Sequence, residues 1–335
     1  MTDTPGAATV SAPARIDLAG GTVDIWPICL IQPGAVTVNL AIDRYAKATV
    51  RVRTDGKVVL AAEDRKTRSV HADRASLATE TDLPLHREIA QAFGGAGGIE
   101  VRTRSGVPSG SGLGGSSTLF VAATKAALLA TGGTLTDREF LRLVVDMEAR
   151  IIGVPTGSQD YVSAMYGGLS AVRFPAGGAS RERIAADLAA VASRIVLVWT
   201  GLPHDSATNN WAITKAYLDG DAAVRDHMTA ISAAARDLEW ALARGDFDAA
   251  ARSIDDDWQA RKLLAPGVTT PKIERIGRAA RKAGALAMKG SGAGGGGCVF
   301  LWCADGRRAA VAKAAAAAGG EVLRFRPAES GALSS

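Results

Sequence analysis

The first hundred residues alternate apolar and polar positions in short runs that are separated by turn residues. Such alternation, rich in β-branched residues, is typical of strands that bury one face of a sheet. The pattern predicts strands over four segments, 8–20, 34–54, 57–64 and 98–105. The chain is therefore expected to begin with a sheet.

From residue 116 to residue 152 the apolar residues change to the three-and-four spacing of helices. Thr136 and Glu139 have the Thr-x-x-Glu spacing of a capping box, which predicts that a helix begins there. Gly153 and Pro155 predict its end. The next segments predict a short helix and two strands, at 158–167, 168–174 and 194–200.

The second half of the chain is predicted to be helical over 205–264, with a break at 245–250. A helix, a glycine-rich loop, a strand, a helix and a last strand follow, and the tail 329–335 is expected to be disordered. A sheet followed by a largely helical half indicates the α+β class. We expect two domains, 1–180 and 181–335.

Composition and charge narrow the classes of function. The 335 residues are 47% hydrophobic and 22% charged, which is enough to form two ordinary cores. Because no apolar run approaches the roughly 20 residues of a membrane span and the N-terminus lacks a signal-peptide pattern, we expect a cytoplasmic protein with no membrane partner. The net charge of +5 is scattered, which disfavours nucleic acid as a partner and suits anionic substrates. We expect a monomer or a homodimer.

The segment "VPSGSGLGGSS", residues 107–117, is named here the first glycine loop; it leads directly into a predicted helix. Glycines allow a ligand to approach the backbone, and a helix N-terminus presents unpaired N–H groups with partial positive charge, so the combination indicates a phosphate site. A flexible Gly/Ser linker is the alternative. Neither the Walker spacing nor the dinucleotide-binding spacing of glycines is present.

Two carboxylates occupy informative positions. Glu148 lies in the apolar stripe of the helix that begins near Thr136, where a carboxylate must be paired, protonated or bound to a cation. A salt bridge to an Arg is the structural alternative. Asp160 stands at the start of the predicted helix 158–167, where the helix dipole favours its ionised form. Taken alone, the position of Asp160 favours an ordinary first-turn helix acid.

Two further segments carry candidate binding residues. Near the N-terminus a predicted strand with Arg15 runs into a Gly-Gly turn and then Asp24, and binding residues often follow strands in this way. Near the C-terminus the second glycine loop, residues 290–297, separates a helix from an apolar strand. It is too short for a linker, so close contact with a ligand or another loop is favoured over a hinge.

Four motifs in this order resemble the GHMP small-molecule kinases, which include galactokinases, homoserine kinases, mevalonate kinases and heptose-phosphate kinases. They are Arg-x-Asp-Leu-x-Gly-Gly-x-x-Asp, Pro-x-x-x-Gly-Leu-Gly-x-Ser-Ser, Gly-x-Pro-x-Gly-x-x-Asp and Lys-x-x-Gly-Ala-Gly-x-Gly-Gly-Cys. The resemblance covers the chain from about Ala12 to Phe325. It implies a two-domain fold of mixed sheets and helices with a nucleotide site at the domain interface.

The resemblance also implies roles for matching residues, with ATP and Mg²⁺ as cofactors. Ser116 and Glu148 match the magnesium ligands. Asp160 matches the acid that orients the attacking hydroxyl, and Arg15 matches the basic residue beside it. Phosphoryl transfer depends on such positioning and charge neutralisation. The residues implied to bind the ATP phosphates are Pro108, Gly110, Ser111, Gly112, Leu113, Gly114, Gly115, Ser116 and Ser117.

For the acceptor, the resemblance implies a sugar or sugar phosphate. Asp24 matches the acid that binds substrate hydroxyls in sugar kinases. The sequence around it looks most like the heptose-7-phosphate kinases, which phosphorylate an anomeric hydroxyl, whereas Gly21 and Thr22 replace the Glu-His of galactokinases. Trp26 and the segment 200–211 depart from the expected pattern. The residues predicted to contact substrate are Gly21, Thr22, Asp24, His204 and Gly294, with Asp205 and Asn209 as further candidates.

Three other functions stay open at this point. A kinase for an unphosphorylated sugar, such as fucose or a hexuronic acid, fits because no phosphate-binding cluster for a sugar phosphate is visible in the sequence. A non-catalytic sugar sensor on the same fold is a second possibility, since function does not follow from fold alone. A mevalonate-type kinase is the third, although Asp24 would have no obvious task there.

Overall fold

The structure is a computed structural model that describes residues 6–203 and 206–334, without the side chains of residues 206–209. Its first sheet has the strand order β12-β1-β2-β5-β3-β4, with β6 paired to β2 and β7 paired to β6. These strands are β1 (Ala7–Ala19), β2 (Val36–Val52), β3 (Val58–Ala62), β4 (Thr67–His71), β5 (Ile99–Arg104), β6 (Leu169–Arg173), β7 (Ser180–Arg183) and β12 (Leu333–Ser334).

The second sheet has the order β11-β8-β10-β9 and is antiparallel throughout. Its strands are β8 (Ile195–Trp199), β9 (Ala285–Gly290), β10 (Cys298–Cys303) and β11 (Glu321–Leu323). The α-helices are α1 (Ile28–Ile31), α2 (Pro84–Phe93), α3 (Gly115–Thr131), α4 (Asp137–Ile152), α5 (Gln159–Tyr166), α6 (Leu188–Ser193), α7 (Ser206–Leu218), α8 (Ala222–Arg244), α9 (Phe247–Lys262), α10 (Pro271–Ala283) and α11 (Arg308–Ala317).

The predicted α+β class is confirmed. The predicted order helix, glycine loop, strand is wrong near the C-terminus, because β9 lies between α10 and the second glycine loop. Thr136 and Glu139 form both hydrogen bonds of the capping box of α4, and that helix ends at Gly153, which has the left-handed φ of 71°. The predicted boundary after residue 180 falls inside β7, a strand of the first sheet. That boundary stays a prediction.

The expectation of a disordered tail is wrong. Leu333 and Ser334 pair with Ser11 and Val10 of β1, and the Lys125 ammonium donates a 2.7 Å hydrogen bond to the carbonyl of Ala332. The last residues therefore close the free edge of the first sheet. None of the described helices is long and apolar enough to cross a membrane.

Two hydrophobic cores both include residues of β1 and β2. One lies between the first sheet and helices α2 to α5 and includes Leu60, Phe120 and Val144. The other joins the ends of β1 and β2 to the second sheet and to α8 and α9, with Ile16 and Phe300 in the same cluster. Because β1 packs in both cores, the turn that follows it is held between the two halves.

Candidate active site

The first glycine loop connects β5 to α3 and is fixed in place. The Leu113 side chain is fully buried in the core, and its carbonyl accepts a 3.2 Å hydrogen bond from the Arg15 backbone N–H. The Arg15 guanidinium donates a 2.6 Å bond to the Gly112 carbonyl, and the Cys298 N–H donates a 2.7 Å bond to the Ser111 carbonyl. These contacts argue against a flexible linker.

Glycine is required in this loop by backbone geometry. Gly110, Gly112 and Gly114 have φ angles of 66°, 73° and 73°, a region that costs other residues about 1–2 kcal/mol. Gly114 is the N-cap of α3 and has no side chain to cap the first N–H groups of the helix. A Cβ on Gly115 would lie 2.8 Å from Val107 Cγ2. The arrangement leaves the positive end of α3 open to an anion.

Glu148 lies beside the start of α3 and is 6% exposed. The Ser117 hydroxyl donates a 2.8 Å hydrogen bond to its Oε2, and the Tyr161 hydroxyl donates a short one to the same atom. Burial raises the pKa of Glu148, while the hydroxyls of Ser116, Tyr161 and Ser117 oppose the rise. In the described part of the chain its partners are hydroxyl groups rather than a basic side chain, so the salt-bridge alternative is wrong.

Asp160 and Arg15 form an ion pair across 145 positions of the chain. Arg15 Nε donates a 2.8 Å hydrogen bond to Asp160 Oδ1, and Nη2 lies 2.6 Å from the same oxygen. Arg15 is 3% exposed. Burial raises the pKa of Asp160, and the charge and hydrogen bonds of Arg15 counteract that rise. A partner held this firmly favours a role in the site over that of an ordinary helix acid.

Asp24 faces the same region from the other side. Its Oδ2 accepts a 3.1 Å hydrogen bond from the Gln159 backbone N–H, and a Cβ on Gly157 would lie 1.9 Å from that oxygen. Burial, and after it the negative charge of Asp160, raise the pKa of Asp24 to about 6. The Asp160 carboxylate is therefore held close enough to disfavour ionisation of Asp24.

The turn that carries Asp24, residues 20–24, is named here the N-terminal turn. A Cβ on Gly20 would lie 2.1 Å from the Val36 carbonyl oxygen, and one on Gly21 would lie 2.1 Å from Asp17 Oδ2. Thr22 has a φ of 75°, which β-branched residues rarely adopt. The backbone is thus held in an unusual conformation two residues before Asp24.

A single cavity of about 510 Å³ joins these groups. That volume is in the range of small-molecule sites. Eight of the nine residues predicted to bind phosphates line it, and Leu113 faces the core instead. Other residues that line the cavity include Arg15, Asp17, Thr22, Asp24, Arg65, His86, Glu148, Gln159, Asp160, Asn210, Gly292 and Ala293.

The second glycine loop packs against neighbouring loops, as predicted, rather than forming a free hinge. The Gly295 N–H donates a 2.8 Å bond to the Val268 carbonyl, and the Gly297 N–H donates a 2.7 Å bond to the Leu202 carbonyl. A Cβ on Gly294 would lie 2.3 Å from the Val268 oxygen. Gly21 and Gly294 are not among the lining residues but each adjoins one in sequence, Thr22 and Ala293. Their contact with substrate stays a prediction.

His204 and Asp205 lie outside the described residues, as does the side chain of Asn209. Gln159 and Asn210 are among the polar residues of the cavity that sequence reasoning missed. Their side-chain oxygens are buried without a hydrogen-bond partner in the described structure. The position of Gln159 beside Asp160 could have drawn attention to it, whereas nothing in the sequence distinguishes Asn210 from an ordinary helix residue.

Comparison with known proteins identifies related families and relatives. Residues 82–168 match the GHMP kinases N terminal domain, and residues 238–322 match the GHMP kinases C terminal domain. The D-glycero-alpha-D-manno-heptose 7-phosphate kinase of Campylobacter jejuni subsp. jejuni serotype O:2 is 31% identical over 302 residues, which cover 87% of each chain. The galactokinase of Streptomyces coelicolor is 29% identical over 280 residues, 79% of this chain and 67% of that one.

Solved structures give the same picture of the fold. The structure of a D-glycero-D-manno-heptose 1-phosphate kinase from Bacteriodes thetaiotaomicron aligns with a TM-score of 0.73 and 24% identity, covering 98% of both chains. At that identity the likeness concerns the fold alone.

Proposed function

The chain belongs to the GHMP kinase family, and on this premise we propose that it transfers the terminal phosphoryl group of ATP to a hydroxyl group of a sugar. One observation carries the proposal. Asp160 is paired with Arg15, and a Cβ on Gly114 of the first glycine loop would lie 3.0 Å from Asp160 Oδ2. Asp160 therefore lies between the proposed phosphate site and the N-terminal turn with Asp24.

The mechanism assigns one task to each of these residues. The N–H groups at the start of α3 and in the first glycine loop bind the phosphates of ATP. Asp160 orients the acceptor hydroxyl and takes its proton as the oxygen attacks the terminal phosphorus, and the bond from that phosphorus to the oxygen of the leaving ADP breaks. Arg15 keeps Asp160 ionised and stabilises the charge that develops beside it.

The residues around Glu148 fit Mg²⁺. This ion prefers oxygen ligands, and Ser116 and Ser117 place hydroxyls beside the carboxylate. No group of three or more His, Cys, Asp or Glu side chains that could hold a metal ion occurs among the described residues. Such a group is not required, because Mg²⁺ is usually held by one or two carboxylates together with substrate phosphates and water. When bound, it would neutralise charge on the transferring phosphates.

The first candidate acceptor is a heptose 7-phosphate, phosphorylated at its anomeric hydroxyl. The 31% identical relative bears this substrate in its name, and the two chains match over 87% of their lengths. Asp24 suits any sugar, because its carboxylate can accept hydrogen bonds from hydroxyl groups.

An unphosphorylated sugar is the second candidate, and the charges of the cavity favour it. Among the described residues that line the cavity, the Lys and Arg side chains are those of Arg15 and Arg65. Arg15 is already paired with Asp160, and the Arg65 guanidinium donates a 3.2 Å hydrogen bond to the Asp82 carbonyl. A sugar phosphate needs a further cationic contact for its own phosphate.

The product distinguishes the two candidates. We would incubate the protein with ATP, Mg²⁺ and either a heptose 7-phosphate or free sugars, and assign the new phosphate by ³¹P and ¹³C NMR. The first candidate requires a bisphosphate with one anomeric phosphate. Phosphorylation of free sugars alone would replace it with the second, and phosphorylation of neither kind of sugar would contradict the proposed function.

The acceptor's kcat/KM should fall as the pH drops below about 6, because Asp24 loses the charge with which it accepts hydrogen bonds. The sign follows from the direction of the shift: a raised pKa keeps the carboxyl protonated at higher pH, so acceptor binding is lost towards acid. A pH profile of kcat/KM for the acceptor measures this. In Asp24→Asn the amide does not titrate, so the fall in kcat/KM that we assign to protonation of Asp24 should be absent from the pH profile of this variant.

Replacing Gly157 with Ala should raise the KM for the acceptor about tenfold while leaving the KM for ATP nearly unchanged. The added methyl group would lie 1.9 Å from Asp24 Oδ2, so the carboxylate must move. Steady-state kinetics with each substrate varied in turn tests this. Gly95→Ala is the matched control, since a Cβ there meets nothing within 4 Å. An unchanged acceptor KM in Gly157→Ala would show that the position of Asp24 does not matter.

A further inference from the structure

Four charged side chains lie behind the N-terminal turn, and none belongs to the mechanism above. Asp17 comes from β1, Asp257 and Arg261 from α9, and Lys289 from β9. Each is at most 2% exposed. They are named here the buried charge cluster. The two carboxylates and the two cationic side chains sum to zero net charge. Buried charges cost least when they are paired and hydrogen-bonded in this way.

The members of the buried charge cluster contact one another closely. Lys289 Nζ lies 2.9 Å from Asp17 Oδ2 and 4.0 Å from Asp257 Oδ1, and Arg261 Nε donates a 3.1 Å bond to the same Asp257 oxygen. Lys289 also donates a 2.9 Å bond to the Asp17 carbonyl. Burial opposes the ionisation of Asp17, but the charges of Lys289, Arg261 and Arg15 outweigh it and lower the pKa of Asp17.

The cluster also binds three consecutive residues of the N-terminal turn. The Gly20 N–H donates a 2.8 Å bond to Asp257 Oδ2, Arg261 Nη2 donates a 2.6 Å bond to the Gly21 carbonyl, and Arg261 Nη1 donates a 3.0 Å bond to the Thr22 hydroxyl. A planar guanidinium can make these bonds at fixed angles, which an ammonium cannot.

These contacts explain how Thr22 keeps its unusual φ of 75°, because the two residues before it and its own hydroxyl are hydrogen-bonded to fully buried side chains. The turn carries Asp24, so its conformation decides where that carboxylate lies relative to Asp160. The hydrogen bonds to the turn come from α9, more than 230 positions away in sequence. The C-terminal half of the chain thus shapes the acceptor side of the cavity.

We propose that Arg261 and Asp257, supported by Lys289 and Asp17, are positioning residues that hold the N-terminal turn so that Asp24 meets the acceptor. The proposal rests on the proposed function for its kinetic consequence. Its structural consequence, an N-terminal turn that Arg261 keeps ordered, does not depend on any activity.

The kinetic test uses Arg261→Lys, which keeps the positive charge but loses the planar set of donors. The acceptor KM should rise about tenfold or more, with the ATP KM within about twofold and kcat within about threefold of wild type. Arg173→Lys is the matched control, because it weakens an ion pair to Glu239 that lies outside the cavity. An unchanged acceptor KM in Arg261→Lys would overturn the proposal while leaving the proposed function intact.

The structural test measures amide hydrogen exchange by mass spectrometry in the peptide that contains residues 20–25. Exchange there should become about tenfold faster in Arg261→Lys, with the peptide of the first glycine loop unchanged, and Arg173→Lys should match wild type. Equal exchange in wild type and Arg261→Lys would overturn the proposal even if no acceptor were found. A global increase across all peptides would also overturn it, since Arg261 would then stabilise the whole fold rather than the turn.

Combining Thr22→Gly with Arg261→Lys tests whether Arg261 acts by holding the N-terminal turn or by stabilising the whole fold. Glycine adopts a φ of 75° without strain, so less depends on the Arg261 contact once Thr22 is replaced. If Arg261 acts through the turn, the acceptor KM of the double variant should rise by less than the product of the two single effects. Effects that multiply would assign Arg261 a role unrelated to Thr22.

Discussion

Asp160→Asn should lower kcat about 10³-fold and change the affinity for nucleotide by less than about twofold. An amide cannot take the proton of the acceptor hydroxyl, and it loses the ion pair with Arg15, whose Nη2 lies 2.6 Å from Asp160 Oδ1. The first glycine loop and the start of α3 keep their contacts, so ATP binding should survive. Single-turnover kinetics and a calorimetric titration with nucleotide measure the two quantities separately.

Asp248→Asn is the matched control for this experiment, because Asp248 is also a first-turn helix acid but is exposed and distant from the cavity. It should turn over like wild type. If Asp160→Asn kept most of its rate, Asp160 would be an ordinary helix acid, and the proposed mechanism would lose its proton acceptor.

Glu148→Gln should raise the Mg²⁺ concentration needed for half-maximal activity about tenfold and lower kcat about 10²-fold. The carboxylate lies beside the Ser116 and Ser117 hydroxyls, and an amide oxygen carries no charge for a cation. A magnesium titration of the initial rate measures this effect.

The same substitution should leave the melting temperature at neutral pH unchanged or raised. Burial raises the pKa of Glu148, so the fold loses stability when this carboxyl ionises as the pH rises through that raised pKa. Gln removes that cost. Glu88→Gln is the control: Glu88 is equally buried but pairs with Arg87 and Arg150, so its loss should lower the melting temperature and spare the magnesium response. Unfolding of Glu148→Gln with an unchanged magnesium response would assign Glu148 a structural role.

Local patterns in the sequence predicted much of the fold. The capping box of α4 depends on residues three apart, and Thr136 and Glu139 carry both halves of it. The first glycine loop could be predicted because its glycines and the helix that follows are contiguous. In each case the interacting groups lie within a few positions of one another, where spacing alone decides the contact.

Contacts between distant segments could not be predicted in this way. β12 has two residues, too few to show a period, and it exists because β1 offers an unpaired edge some 320 positions away. Arg261 looks like a surface residue of an ordinary helix in the sequence. Its burial depends on Asp257 one turn before it and on the N-terminal turn 239 positions away.

The partners of Glu148 are an intermediate case. The helical spacing placed this carboxylate on an apolar face, but spacing could not choose between a salt bridge and a cation site. The choice depends on Ser117 of α3 and Tyr161 of α5, which tertiary packing brings to the same oxygen. The sequence thus predicted a candidate site, and long-range contacts supply the hydrogen-bond partners of its carboxylate.

Transfer of a phosphoryl group from ATP to a sugar releases ADP. We would measure ADP release from ATP and Mg²⁺ against a panel of heptose 7-phosphate, free sugars, mevalonate and homoserine. We expect release that depends on a sugar or sugar phosphate and is absent with mevalonate and homoserine. ATP binding without turnover on any member of the panel would contradict the proposed function and favour a non-catalytic sugar sensor.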